Sequence, residues 1–148
     1  MARILIVAHA PLATSLQAVA QHVYPDCGGQ LAAIDVLPAQ SPEDVAARIK
    51  ALVTESSGDV LILVDVFGAT PCNAALAAAD GVKQRVVAGV NVPMLWRTLC
   101  YAGQPLDDLV NRAVAGASQG VMHVAVPRRQ NQATSTLNHD QVQHQHQQ

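Results

Sequence analysis

The chain has 148 residues, half of them apolar, and a formal net charge of −2. That length suits one domain with a real core; the basic residues are scattered, with no stripe to hold a nucleic acid and no acidic block to serve as a charged tail. With one Phe, one Trp and two Tyr, the interior has to be built from Val, Leu, Ile and Ala, as in a parallel sheet buried under Ala-rich helices.

Cys27, Cys72 and Cys100 are widely spaced and odd in number, so they read as free, mostly buried thiols and not as a zinc site or a disulfide framework. No apolar stretch approaches the ~20 residues that span a bilayer, and Met1-Ala2-Arg3 runs directly into a strand pattern without a signal peptide. A cytoplasmic protein with no direct membrane insertion is expected.

In chain order, Arg3–Ala8 is an apolar run that predicts a buried strand, and His9 follows it at once. A helix is predicted from Leu12 to Tyr24, with Leu12, Leu16, Val19, Ala20 and Val23 at helical spacing, and Pro25-Asp26-Cys27-Gly28-Gly29 breaks it. Leu31–Val36 reads as a second strand. Ser41, Pro42 and Glu43-Asp44 give the next helix an N-cap, a proline first turn and acidic early positions; Val45, Ile49, Leu52 and Val53 form its stripe, and Ser56-Ser57-Gly58 ends it. Asp59–Val64 is a third strand, followed by a helix from Thr70-Pro71 to Asp80-Gly81. Gln84–Val90 is a fourth strand, a helix begins near Pro93, and another covers Leu106–Ala117. Val121–Val126 reads as a last short strand with nothing after it to cover its edge, so it is expected to pair with a second subunit. From Pro127 to Gln148 the chain is Gln-, Asn- and His-rich and is expected to stay disordered. His139, His144 and His146 there are not expected to make a specific metal site.

Strands separated by helices imply right-handed crossovers and a three-layer α/β/α fold: a mainly parallel sheet of four strands with helices on both faces. The domain is expected over residues 1–126, with 127–148 as the tail. In such a sheet the carboxyl ends of the strands share one edge, where ligands bind. Three loops fall on it: Ala8–Pro11, Asp65–Asn73 and Gly89–Met94.

Asp65 ends a buried strand, where a lone carboxylate requires a partner or water. Gly68 permits a left-handed turn, Thr70 is placed to cap the next helix, and Pro71 presets its first turn. A helix start offers free N–H groups to an anion, so Gly68, Ala69, Pro71, Cys72 and Asn73 are read as an anion-binding set with Thr70. Neither GxxxxGK[ST] nor GxGxxG occurs, which leaves little support for a nucleotide. A carboxylate that accepts a hydrogen bond from one imidazole N–H leaves the other nitrogen with a free lone pair, able to attack an acyl or a phosphoryl group. No GxSxG nucleophile and no acidic cluster suited to magnesium accompanies the pair, and phosphoryl transfer requires mainly alignment and charge stabilisation. A phosphohistidine carrier without cofactor or metal fits these parts. A plain loop histidine and a turn-forming aspartate remain the alternative on the residues alone.

Ile4–His9, Leu63–Asn73 and Ala88–Leu95 together resemble the three signature segments of the mannose-type IIA component of the bacterial phosphoenolpyruvate-dependent sugar phosphotransferase system, in order and at its spacing. The resemblance covers about Arg3 to Val126. It implies that His9 takes a phosphoryl group from the phosphocarrier protein HPr and passes it to a IIB component, that Asp65 holds the histidine, and that Thr70 supplies a hydroxyl beside the phosphoryl group. It also implies a homodimer formed by exchange of Val121–Val126. Ala69 stands where sugar-transport members often have Gly, and Thr70 replaces the commoner Ser. No IIB domain follows within the sequence, so a IIB partner in trans is expected. A stand-alone regulatory phosphoprotein, whose His9 state controls partner binding, is the alternative reading.

Overall fold

Two segments form the centre of the molecule because Ile4–Ala8 and Val60–Val64 are apolar at every position. In the computed structural model, which describes residues 1–128, β1 (Arg3–His9) and β3 (Val60–Val64) lie side by side, flanked by β2 (Leu31–Val36) and β4 (Gln84–Ala88) in the order β2-β1-β3-β4. All three pairings are parallel; Ile4 faces Leu31 on one side and Leu61 on the other. The connecting helices are α1 (Leu12–Val23), α2 (Pro42–Glu55), α3 (Thr70–Ala78), α4 (Val92–Cys100) and α5 (Leu106–Gln119), with a 3-10 turn at Pro25–Gly29.

Period-two alternation divides the core into two layers. Ile4, Ile6, Ala8, Leu61 and Leu63 pack with Ala13 and Leu16 of α1, Met94 and Leu95 of α4, and Leu106 and Leu109 of α5. Leu5, Val7, Ile62 and Val64 pack on the opposite face with Val45, Ile49 and Val53 of α2 and Cys72, Ala74 and Ala75 of α3. Each fully buried Leu or Ile contributes about 1.5–3 kcal/mol, so the two strands are stabilised from both sides as far as Ala8 and Val64. The predicted four-stranded parallel α/β architecture is therefore the observed one.

Several local expectations change. In α1 the buried residues are Ala13, Leu16 and Ala20, whereas Leu12, Val19 and Val23 are 39%, 43% and 46% exposed. Ala13 and Ala20 flank Leu16 and bring the helix close to the sheet along a narrow face, and Leu12, Val19 and Val23 fall outside it. Helix α3 ends at Ala78, short of Asp80-Gly81, because Asp80 Oδ1 accepts the N–H groups of Val82, Lys83 and Gln84 and holds a turn instead. Strand β4 ends at Ala88, not Val90: Gly89 has φ +90°, a conformation suited to glycine, yet its N–H still reaches Asp65 O (3.1 Å). Helix α5 runs on to Gln119, and its end lies so close to α4 that a Cβ on Gly120 would collide with the ring of Pro93.

Residues Val121–Val126 form no strand within this single chain, and their apolar side chains are exposed. Among the described residues no β-partner takes up their backbone, so this short apolar run is left unpaired. The tail expected from Pro127, apart from its first two residues, lies outside the described residues.

Candidate active site

His9 is the last residue of β1, and Asp65 is the first residue after β3. The two strands are adjacent with Val7 opposite Val64, so the ladder brings both side chains to one place on the carboxyl edge. His9 Nδ1 lies 2.6 Å from Asp65 Oδ2, and the same oxygen accepts the His9 backbone N–H at 2.9 Å. Asp65 Oδ1 accepts the Val66 N–H at 2.9 Å. Partial burial pushes the Asp65 carboxyl up, but the hydrogen bonds from the His9 N–H, the His9 ring and the Val66 N–H outweigh it and hold the group below its ordinary value. An ionised Asp65 fixes the proton of the neutral ring on Nδ1 and leaves the lone pair on Nε2. The His9 side chain is 53% exposed against 12% for Asp65. The orienting carboxylate is thus sheltered while the imidazole reaches solvent.

The loop after β3 turns through Gly68, whose φ is +88°. Ala69, extended at φ −95° and ψ 172°, is the N-cap of α3, and Thr70 is already its first helical residue. This corrects the expectation that Thr70 caps the helix. From a helical position its hydroxyl cannot turn back on the first turn, and it makes no hydrogen bond among the described residues. The N–H groups of Thr70 and Cys72 have no acceptor there either, and Pro71 has none to offer. Asn73 commits its N–H to Ala69 O (2.9 Å) and its side-chain amide to Gly68 O (3.4 Å), which closes the turn. The Cys72 side chain is buried in the core against α2 and the sheet. Of the anion-binding set read from the sequence, the free donors are backbone N–H groups and the Thr70 hydroxyl; Pro71, Cys72 and Asn73 shape the turn with their side chains.

Three neighbouring helices start on the same edge with an acceptor in place. Ser41 Oγ accepts the Asp44 N–H in α2 (3.1 Å), and Asn91 Oδ1 accepts the Met94 N–H in α4 (2.9 Å). In α1 the Thr14 N–H is taken by Asp35 Oδ1 of β2 (3.1 Å). Of the four helix starts on this edge, α3 alone has no side-chain acceptor among the described residues. Asp35 is a site-edge residue that sequence reasoning misses. The available signal was a single acid interrupting an apolar strand one residue from its end. Among the described residues no three His, Cys, Asp or Glu side chains gather as a metal site.

A family model described as the PTS system fructose IIA component matches residues 3–114. The mannose-specific EIIAB component of Escherichia coli K12 is 36% identical over 93 residues, which is 60% of this chain and 29% of that protein. The fructose-specific EIIA component of Bacillus subtilis is 41% identical over 63 residues, 41% of this chain and 43% of that one. The matched stretches thus span less than half the length of these relatives. The mannose/sorbose specific IIA subunit from Enterococcus faecalis superposes with a TM-score of 0.79 at 22% identity, covering 86% of this chain and 98% of its own. The component EIIA from Streptococcus agalactiae gives 0.76 at 23%, covering 83% and 97%. These two structures show the shared fold. The family match, on an α/β fold, defines the class as a phosphotransfer protein of the sugar phosphotransferase system. Within that class the chain belongs to the fructose/mannose IIA family, as the three sequence segments implied. No helix among the described residues is long and apolar enough to cross a membrane.

Proposed function

We propose that this chain carries a phosphoryl group on His9, received from an HPr-like phosphocarrier and passed to a IIB component in sugar uptake. The observation that carries this reading is the 2.6 Å contact of His9 Nδ1 with Asp65 beside a helix start whose N–H groups are free. The Nε2 lone pair attacks phosphorus in line. An N–P bond forms on His9 as the donor's own N–P bond breaks, and the donor's ring nitrogen keeps the electron pair. The proton stays on His9 Nδ1, hydrogen-bonded to the ionised Asp65, whose charge offsets the positive charge that the ring acquires. The Thr70 hydroxyl and the N–H groups of Thr70 and Cys72 bond the equatorial oxygens. Onward transfer reverses these roles.

Labelled phosphoenolpyruvate with purified enzyme I and HPr tests the reading. An acid-labile, base-stable label on the wild-type chain, absent from His9→Ala, is expected. A label that survives the substitution removes His9 from the site. Label on His9 with no transfer to any IIB protein would favour the regulatory reading.

A homodimer formed through Val121–Val126 accompanies this proposal. Its support is an exposed apolar segment in a molecule whose β4 is an edge strand. Deleting residues 121–148 is expected to weaken association in sedimentation, and deleting 127–148 is not; equal association of both forms rejects the exchange.

A further inference from the structure

We propose that Asp35 is a positioning residue for His9, acting through the first turn of α1. Its kinetic consequence rests on the phosphocarrier reading above; its geometric consequence does not.

Asp35 stands opposite Ala8 in the β1–β2 ladder, and Val36 stands opposite His9. It is half-buried, and both of its oxygens are engaged by one residue of α1. Oδ1 accepts the Thr14 N–H at 3.1 Å, and Oδ2 accepts the Thr14 hydroxyl at 2.5 Å. The hydroxyl also lies 3.3 Å from Pro11 O, but it has a single proton, and the shorter contact to a carboxylate takes it. Helix α1 needs this outside acceptor. Its N-cap is Pro11, which makes no side-chain cap, and no acidic residue lies in its first turn. Asp35 therefore supplies from a neighbouring strand what the helix lacks in its own sequence.

The same turn carries the backbone of His9. Pro11 O accepts the Ser15 N–H (3.0 Å) and the Ser15 hydroxyl (2.6 Å), which locks the His9-Ala10-Pro11 segment to α1. Ala10 N–H bonds Val36 O at 3.0 Å, which locks it to β2. Asp35 closes the triangle by tying α1 to β2. With this corner fixed, the His9 N–H and Nδ1 meet one oxygen of Asp65 together. Released, α1 carries Pro11 with it, and the ring loses the angle that this double contact demands. Asp35 also fills the positive end of α1 with negative charge. Of the two helix starts that follow β1 and β3, only that of α3 then remains open to an anion on Nε2.

The experiment compares Asp35→Ala, Thr14→Val and Thr14→Ser in the full chain, with Ser41→Ala as a control that removes a cap from α2 at a distance from this corner. Two readouts are taken. One is the His9 Nδ1 proton resonance of the unphosphorylated protein. The other is transfer to His9 from phosphorylated HPr as donor, resolved into the rate at saturation and the half-saturating donor concentration. Asp35→Ala and Thr14→Val are expected to move the Nδ1 proton upfield and speed its exchange with water. They should lower the saturated rate about tenfold, the scale set by a small loss of alignment, with half-saturation within about twofold. Thr14→Ser should restore both readouts, and Ser41→Ala should change neither. A wild-type Nδ1 resonance in both Asp35→Ala and Thr14→Val overturns the proposal, as does an equal effect from Ser41→Ala, which would make Asp35 a stability residue only. If Asp35→Ala does not fold, Thr14→Val is read in its place. A wild-type chain that takes no label while its Nδ1 proton responds to Asp35→Ala defeats the phosphocarrier reading and leaves this one standing.

Discussion

The starts of α2 and α3 lie on the same edge of the same sheet and are built in opposite ways. Both carry a proline in the first turn. Helix α2 has Ser41 at its N-cap, with the Asp44 N–H bonded and Glu43 and Asp44 set against the dipole. Helix α3 has Ala69 at its N-cap, no acidic residue in the first turn and no side-chain acceptor. An Ala in place of a capping residue costs about 1 kcal/mol. One helix start is finished for stability; the other keeps its donors free where an oriented imidazole meets solvent.

Adding a cap to α3 tests this difference most severely. Ala69→Asp should bond the Cys72 N–H and place a negative charge where the phosphoryl oxygens are proposed to sit. Transfer to His9 is expected to fall about 100-fold, the scale of losing one oxyanion donor, while the melting temperature holds or rises. Undiminished transfer would show that the open helix start has no part in binding the phosphoryl group.

Replacing Asp65 by Asn tests the orienting half of the site. Slower transfer, by about tenfold or more, is expected with the fold retained, since the anion that balances the ring is gone. The pH dependence of stability should change with it. Asp65 has a folded-state value below the ordinary 3.8, so its stabilisation is present in full above that value and is lost as pH falls through the lower folded one. Acid titration of unfolding in Asp65→Asn should lack this component; identical acid limbs in the two proteins would contradict the assigned direction.

The smallest effect is expected on the capped side. Ser41→Ala should cost about 1 kcal/mol, seen as a melting temperature lower by about 2–4 °C, with transfer to His9 unchanged. A large loss of transfer would mean that α2 is coupled to the site and that the two helix starts do not have separate roles.

Much of this arrangement was legible in the residues. Leu31–Val36 forms a strand with the expected bounds, and Ser41-Pro42 starts α2 as its chemistry dictates. His9 and Asp65 were recognisable because each follows an apolar run at a point where a parallel sheet exposes its edge. Thr before proline reads as the cap of α3 because Ser or Thr there is a common helix start. The left-handed turn at Gly68 and the extended Ala69 shift the boundary by one residue, which turns Thr70 from a cap into a free hydroxyl. Spacing places Leu16 and Ala20 on the buried face of α1 correctly, but it does not distinguish Ala13 as a third member from Leu12, Val19 and Val23 beside it. The distance between helix and sheet makes that choice.

The sequence by itself determined the alternation of strands and helices, the apolar centre and the chemical character of the sheet edge. Those depend on neighbours within a few residues, where period, turn residues and capping residues act. Tertiary structure alone decided that the His9 N–H and ring meet one Asp65 oxygen across 56 positions, that Asp35 caps a helix preceding it in the chain, and that Val121–Val126 finds no partner strand among the described residues. Those contacts depend on strand order and register, which arise only when the whole apolar core closes and aligns distant segments residue by residue.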